Sequence, residues 1–394
     1  MSRKGLEVAV EPKILQWARE SIGRDAGDVA RRLKLSKETI EKWESESREK
    51  TPTLTQLEKL SGLYKRPLAA FFLPEPPKEP PHPKDFRTLP SDQRKPLSPE
   101  TRLAIRRASR LQSLAAELTE NLNRETTPKL LKVRLSDQPE TVAGKIREQL
   151  NITIQTQLRW KDESEALTEW RKALERLGIL VLQLAMPLDD DVRAFSVPNP
   201  KFPTIVLNLR DALNGRTFSL FHEYTHLMLD GGGLCDMRDD DSNNHDVKAV
   251  EVFCNHIAGA SLVPKPNLLA HRLVEGKNAS TQWSEDTLKK IAEDFKVSSE
   301  VILRRLVIFG LASEELYKRR REDWKEKAKQ RQEKKPFGKV NQSKKCLREN
   351  GVPFVSLVLD SHRAGKITYP DVADYLAIRL QHLPKVERLL IGKP

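Results

Sequence analysis

The chain is 394 residues long, 32% charged and 38% hydrophobic, which suits roughly two or three domains rather than a single core. Its formal net charge of +13 points to a polyanionic partner, nucleic acid above all, although a solvated basic surface would give the same balance. The three cysteines (Cys235, Cys254 and Cys346) show no C-x-x-C spacing, so a disulfide framework or a cysteine zinc site is not expected. The first residues lack the apolar stretch of a signal peptide, and no run of about 18 apolar residues exists, so a cytoplasmic protein is expected.

Residues 12–73 read as a helical unit. A first helix over 14–20 ends near Gly23, a second covers 28–33, and Lys34-Leu35-Ser36 is the turn into a third over 37–46, which Ser36 can cap. A fourth helix is predicted at 52–60. Nine prolines between Pro74 and Glu100 exclude a regular helix or central strand and predict an extended connector. Ser98-Pro99-Glu100 makes a new helix start, and helical patterns follow at 100–122, 138–150 and 163–177. Short β-branched runs at 178–184, 192–197 and 203–209 predict strands, giving an α+β fold that is mostly helical.

His222-Glu223-Tyr224-Thr225-His226 lies in an amphipathic helical stretch that begins at Thr217. Two histidines at i and i+4 share one helical face, so their imidazoles can hold two corners of a tetrahedral Zn²⁺ site. Glu223 beside them suits a general base for a water on the metal. A hydrolytic site needs a third protein ligand. Glu251, beside the apolar face of a helix over 247–258, is the best candidate, with Asp230, His245, Asp246 and His256 as competitors. Asn255, one turn on, could orient Glu251 or His226. Tyr224, His245 and Arg216 are the candidates for an oxyanion donor. Residues 288–309 repeat a helix-turn-helix rhythm, and 318–335 carry ten Lys/Arg against four Asp/Glu, predicting an exposed charged helix or tether. In the tail, 353–359 reads as a strand and 369–380 as a final helix.

The stretch Arg216-Thr-Phe-Ser-Leu-Phe-His-Glu-Tyr-Thr-His-Leu resembles the signature helix of the ImmA/IrrE family of metallopeptidases. Residues 251–264 are similar to its second motif, E-x-x-A-N-x-F-A followed by an apolar pair and proline. Cys254 stands where alanine is usual and Ile257 where phenylalanine is usual. The resemblance implies His222, His226 and Glu251 as zinc ligands and Glu223 as catalytic base, with one Zn²⁺ per chain and Mn²⁺ as the other candidate metal. A protein substrate could add as a strand at the sheet edge, next to 203–209.

Residues 12–66 resemble the Cro/CI-type (XRE) helix-turn-helix, and 52–77 look like the version fused to ImmA/IrrE peptidases. Base contacts would come from Ser36, Lys37, Glu38 and Thr39, with Arg31, Arg32 and Lys42 near phosphates. The glutamine usual at the start of the second helix is replaced by Asp25-Ala26-Gly27, and residues 1–66 hold 15 basic against 11 acidic groups. Residues 288–309 are similar to a second helix-turn-helix of the family. The implied organisation is a helix-turn-helix domain at 1–73 and a Pro-rich linker at 74–99. A zincin-like metallopeptidase domain at 100–270, a helical region at 271–315, and a basic segment with an α/β tail at 316–394 follow. The function implied is a zinc endopeptidase that cleaves a helix-turn-helix repressor to switch transcription, as a possible homodimer. The alternative is an XRE-type regulator or antitoxin whose peptidase-like domain is not catalytic.

Overall fold

The computed structural model describes residues 6–77, 97–188, 192–229, 244–332 and 341–391, with backbone alone at 244–247, 325 and 328–332. The described residues fall into two compact units, one built from 6–77, 97–109 and 185–188, the other from those of 110–184 and 192–391. Most of the Pro-rich stretch and residues 230–243 lie outside the described residues.

The first unit contains helices α1 (Pro12–Glu20), α2 (Ala26–Leu33), α3 (Lys37–Trp43) and α4 (Leu54–Tyr64). Each start is chemically marked. Asp25 accepts from the Asp28 amide, Ser36 from that of Thr39, and Thr53 forms a capping box with Gln56. Ile14, Val29, Ile40, Trp43, Leu57 and Phe71 form the core. Inside it the Arg19 guanidinium grips Glu44 at 2.7–3.1 Å and donates to the Arg24 carbonyl. α3 stops at Trp43, short of the predicted 46. The Ser45 hydroxyl accepts from the Ser47 amide, a local alternative to the helical bond, and Arg48 turns left-handed at φ 50°.

α5 (Pro99–Asn121) contributes to both units. Its start carries the expected cap, Ser98 Oγ accepting from the Thr101 amide. The second unit continues with α6 (Pro139–Leu150), α7 (Ile154–Arg159) and α8 (Glu163–Glu175), then β1 (Leu180–Leu184), β2 (Ala194–Val197) and β3 (Thr204–Asn208). The sheet order is β1-β3-β2, with β1 parallel and β2 antiparallel to β3. β3 is therefore the central strand, and the expectation that a substrate pairs beside 203–209 is corrected: both of its edges are taken. The outer edge of β1 is closed as well. Arg171 donates to the Val181 carbonyl at 2.6 Å, and Gly351, at φ +81°, comes so near that a Cβ there would lie 3.2 Å from that oxygen.

α9 (Leu213–Met228) and α10 (Asn244–Leu262) pack against one another, and α9 also lies against β2 and β3. After α11 (Lys265–Leu269) come α12 (Glu285–Phe295) and α13 (Ser299–Ile308), then the charged α14 (Glu314–Gln332). α14 ties down the outer side of the α12–α13 pair. Glu300 receives Tyr317 and Arg321, Arg304 pairs with Glu314, and Glu285 pairs with Arg320 and Lys327.

The tail is helical throughout its described residues, not α/β: α15 (Gln342–Asn350), α16 (Val352–Arg363), α17 (Tyr369–Leu376) and α18 (Leu383–Ile391). The predicted strand at 353–359 is α16. Phe354, Val355, Val358 and Leu359 are buried at helical spacing, and a short apolar run alone does not distinguish the two periods. The final predicted helix ends at Leu376, where Ala377 turns left-handed, so 380 lies outside it. Cys254 and Cys346 are buried and neither is in a disulfide. No helix among the described residues is long and apolar enough to cross a membrane.

Candidate functional site

α9 is buried nearly all round, which suits a helix at the centre of its unit. Phe221 meets Trp170 edge-on at 4.9 Å, and Tyr224 donates to Gln149 at 2.9 Å, so that side is anchored in the core. The other side carries His222 and His226, 0% and 6% exposed, and α10 crosses there to bring up Glu251. The two Nε2 atoms lie 3.0 Å apart; Glu251 Oε2 is 3.4 Å from that of His222 and Oε1 is 3.2 Å from that of His226. The three ligand-type atoms lie within 4.8 Å of one another.

The chemistry of these atoms fits a cation. Asn255 Oδ1 can only accept, so His222 Nδ1, 3.0 Å away, donates to it and the neutral ring turns a bare Nε2 lone pair inward. Glu251 Oε1 is buried without an aligned hydrogen bond although it faces His226. Two nitrogens and a carboxylate oxygen grouped in this way could hold a metal ion.

Glu223 is 2% exposed and accepts from Ser196 Oγ of β2 at 3.0 Å. Asn255 serves His222, not Glu251 or His226 as expected from the sequence. His256 is taken by Glu140 at 3.1 Å, and the side chains of His245 and Asp246, like all of Asp230, lie outside the described residues. Of the oxyanion candidates, Tyr224 is spent on Gln149 and Arg216 on Gln183 at 2.6 Å.

Two features escaped the sequence reading. One is Ser196, whose signal is a polar residue at a strand position that alternation turns inward. The other is the clamp on the C-terminus of α10, where three long side chains each take one carbonyl. Arg147 donates to Ser261, Gln157 to Leu262 and Arg305 to Val263, at 2.7, 2.9 and 3.0 Å.

In the helix-turn-helix unit the candidate contacts Arg31, Arg32, Lys37 and Lys42 reach solvent, and each stands beside a carboxylate of its own domain. The distances are 3.8 and 3.3 Å to Asp28, 3.1 Å to Glu41 and 3.3 Å to Glu49. Ser36 and Thr39 are engaged at the cap of α3, and the Ser36 hydroxyl holds the Glu38 carboxyl below its ordinary range.

Residues 174–307 match a peptidase family model described as the IrrE N-terminal-like domain, and residues 15–71 match a helix-turn-helix model. No curated protein matches the chain. The two matches place a metallopeptidase-type domain behind a DNA-binding helix-turn-helix of the XRE type, in the order the motifs implied.

Proposed function

We propose that this chain is a zinc-dependent endopeptidase that cleaves a helix-turn-helix repressor and so switches transcription. The observation that carries it is the convergence of His222, His226 and Glu251, with Glu223 adjacent on the same helix. His222, His226 and Glu251 would hold the ion, and Asn255 would keep the His222 ring in its ligating tautomer. Zinc, when bound, would polarise the scissile carbonyl and make water a stronger acid. Glu223 takes a proton from the attacking water on its carboxylate and returns it to the leaving amine. An extended substrate segment would align along β2, the sheet edge whose Ser196 touches Glu223. The N-terminal unit would bring the peptidase to DNA-bound targets, with Arg31, Arg32, Ser36, Lys37, Glu38, Thr39 and Lys42 at the DNA face.

The test incubates purified protein and Zn²⁺ with helix-turn-helix repressors encoded beside it, with Glu223→Gln in parallel. Cleavage by the wild type alone is expected. Equal cleavage by Glu223→Gln, or none by the wild type, counts against proteolysis. A gel shift on the chain's own promoter, with and without chelator, separates DNA binding from the metal.

A further inference from the structure

Side chains alternate along a strand, so Ala194 and Ser196 share one face of β2. Ala194 belongs to the core formed with Ile205 and Leu207 of β3 and Leu220 and Phe221 of α9. An apolar residue at 196, opposite Ile205, would continue that core. A serine stands there instead, 8% exposed, with its hydroxyl 3.0 Å from Glu223 Oε2. A carboxylate so buried is costly without a hydrogen bond, and the hydroxyl supplies one. It also restricts geometry. The last torsion of a glutamate is broad, so a carboxylate without such a contact sweeps its oxygens through a wide arc. A donor on a short side chain of a paired strand removes that freedom.

We propose that Ser196 is the positioning residue of Glu223: by holding Oε2, it keeps the other carboxylate oxygen in one orientation beside His222 and His226. This rests on the peptidase reading above. The Ser196 hydroxyl touches neither substrate nor metal in this assignment; it acts through Glu223.

The test uses the full chain and four variants: Ser196→Ala, Ser196→Thr, Glu223→Ala and Ser196→Ala combined with Glu223→Ala. Zinc per chain is measured for each, and wild-type loading of both serine variants is expected. In urea with chelator present, Ser196→Ala should lower the folding constant about tenfold when Glu223 is present, and less than about twofold when position 223 is already alanine. On a repressor cleaved by the wild type, Ser196→Ala should lower kcat about tenfold at unchanged KM, and Ser196→Thr, which keeps the hydroxyl, should restore it. Equal destabilisation in both backgrounds overturns the proposal, as does an unchanged kcat or a loss that threonine fails to rescue. If the wild type cleaves no repressor while the coupling is present, the proteolytic reading fails and the Ser196–Glu223 link stands.

Discussion

Replacing Arg305 with methionine tests the packing that presents Glu251. Arg305, on α13, is 1% exposed and does three things at once. Its Nη1 and Nη2 grip Glu140 of α6 at 2.6 and 2.9 Å, and its Nε caps the Val263 carbonyl beyond α10. Its guanidinium also stacks 4.5 Å from the Phe309 ring centre. Methionine keeps much of the packing and loses every hydrogen bond. Removing one partner of a buried pair costs about 3–5 kcal/mol; because the Glu140 side chain is 33% exposed and can rehydrate, the low end, about 3 kcal/mol, is expected at pH 7. The acid limb gives a second, independent reading. Burial alone would raise the Glu140 pKa, but hydrogen bonds from His256 and Arg305 outweigh it and hold the group at about 2, below the usual 4.5. A depressed carboxylate contributes stability above its unfolded pKa and loses it as pH falls towards the folded one, here from about 4.5 to about 2. The gap between wild type and Arg305→Met should therefore narrow across that window. Urea unfolding followed by circular dichroism at pH 7 and at pH 3, with chelator throughout, measures both effects. A loss under about 1 kcal/mol at pH 7, or a gap that does not narrow in acid, would refute the reasoning.

The wild type should bind one Zn²⁺ per chain and Glu251→Ala should lose most of it, whereas Glu223→Gln and His256→Ala should keep it; full zinc in Glu251→Ala, read by atomic absorption, would remove the third ligand. Gln157 is fully buried, with its amide donating to the Leu262 and Phe295 carbonyls and accepting from Arg147, so Gln157→Leu should cost about 2 kcal/mol in the same urea assay. In the helix-turn-helix unit Glu41→Gln frees Lys37 from its 3.1 Å partner, so DNA affinity should rise, while Lys37→Ala should lower it and reduce the salt slope by about one; the reverse order in a salt titration would take Lys37 out of the phosphate contacts.

The parts of the fold that were legible carry their information locally. Ser36 and Ser98 announce helix starts because the bond each makes is to an amide three residues away. The three strands were legible because β-branched runs between Pro, Asp and Asn leave little else to form. α16 was misread because residues 353–359 are apolar at nearly every position, so periodicity is hidden. Only the sheet-side packing around Gly351 and Val181 shows that the place a strand would need is already closed. The order of the strands was not legible either. β3 becomes central because β2 folds back antiparallel on one side while β1 runs parallel on the other, a choice no single strand encodes.

The same division runs through the site. His222 and His226 meet because four residues make about one helical turn, and that distance is written in their spacing. Glu251 is different: its place depends on where α10 ends and how it crosses α9. Those are set by Arg147, Gln157 and Arg305, which come from three other helices and converge on three successive carbonyls. In the sequence they are scattered polar residues in helical stretches, indistinguishable from solvated ones. Packed against the helix end, each satisfies a carbonyl that the end of a helix leaves open, and an error in any one would be felt along the rigid length of α10 at Glu251 and Asn255. A substitution in this clamp should therefore weaken zinc binding without touching a ligand. Loss of stability with zinc affinity unchanged would show instead that α9 alone aligns the site.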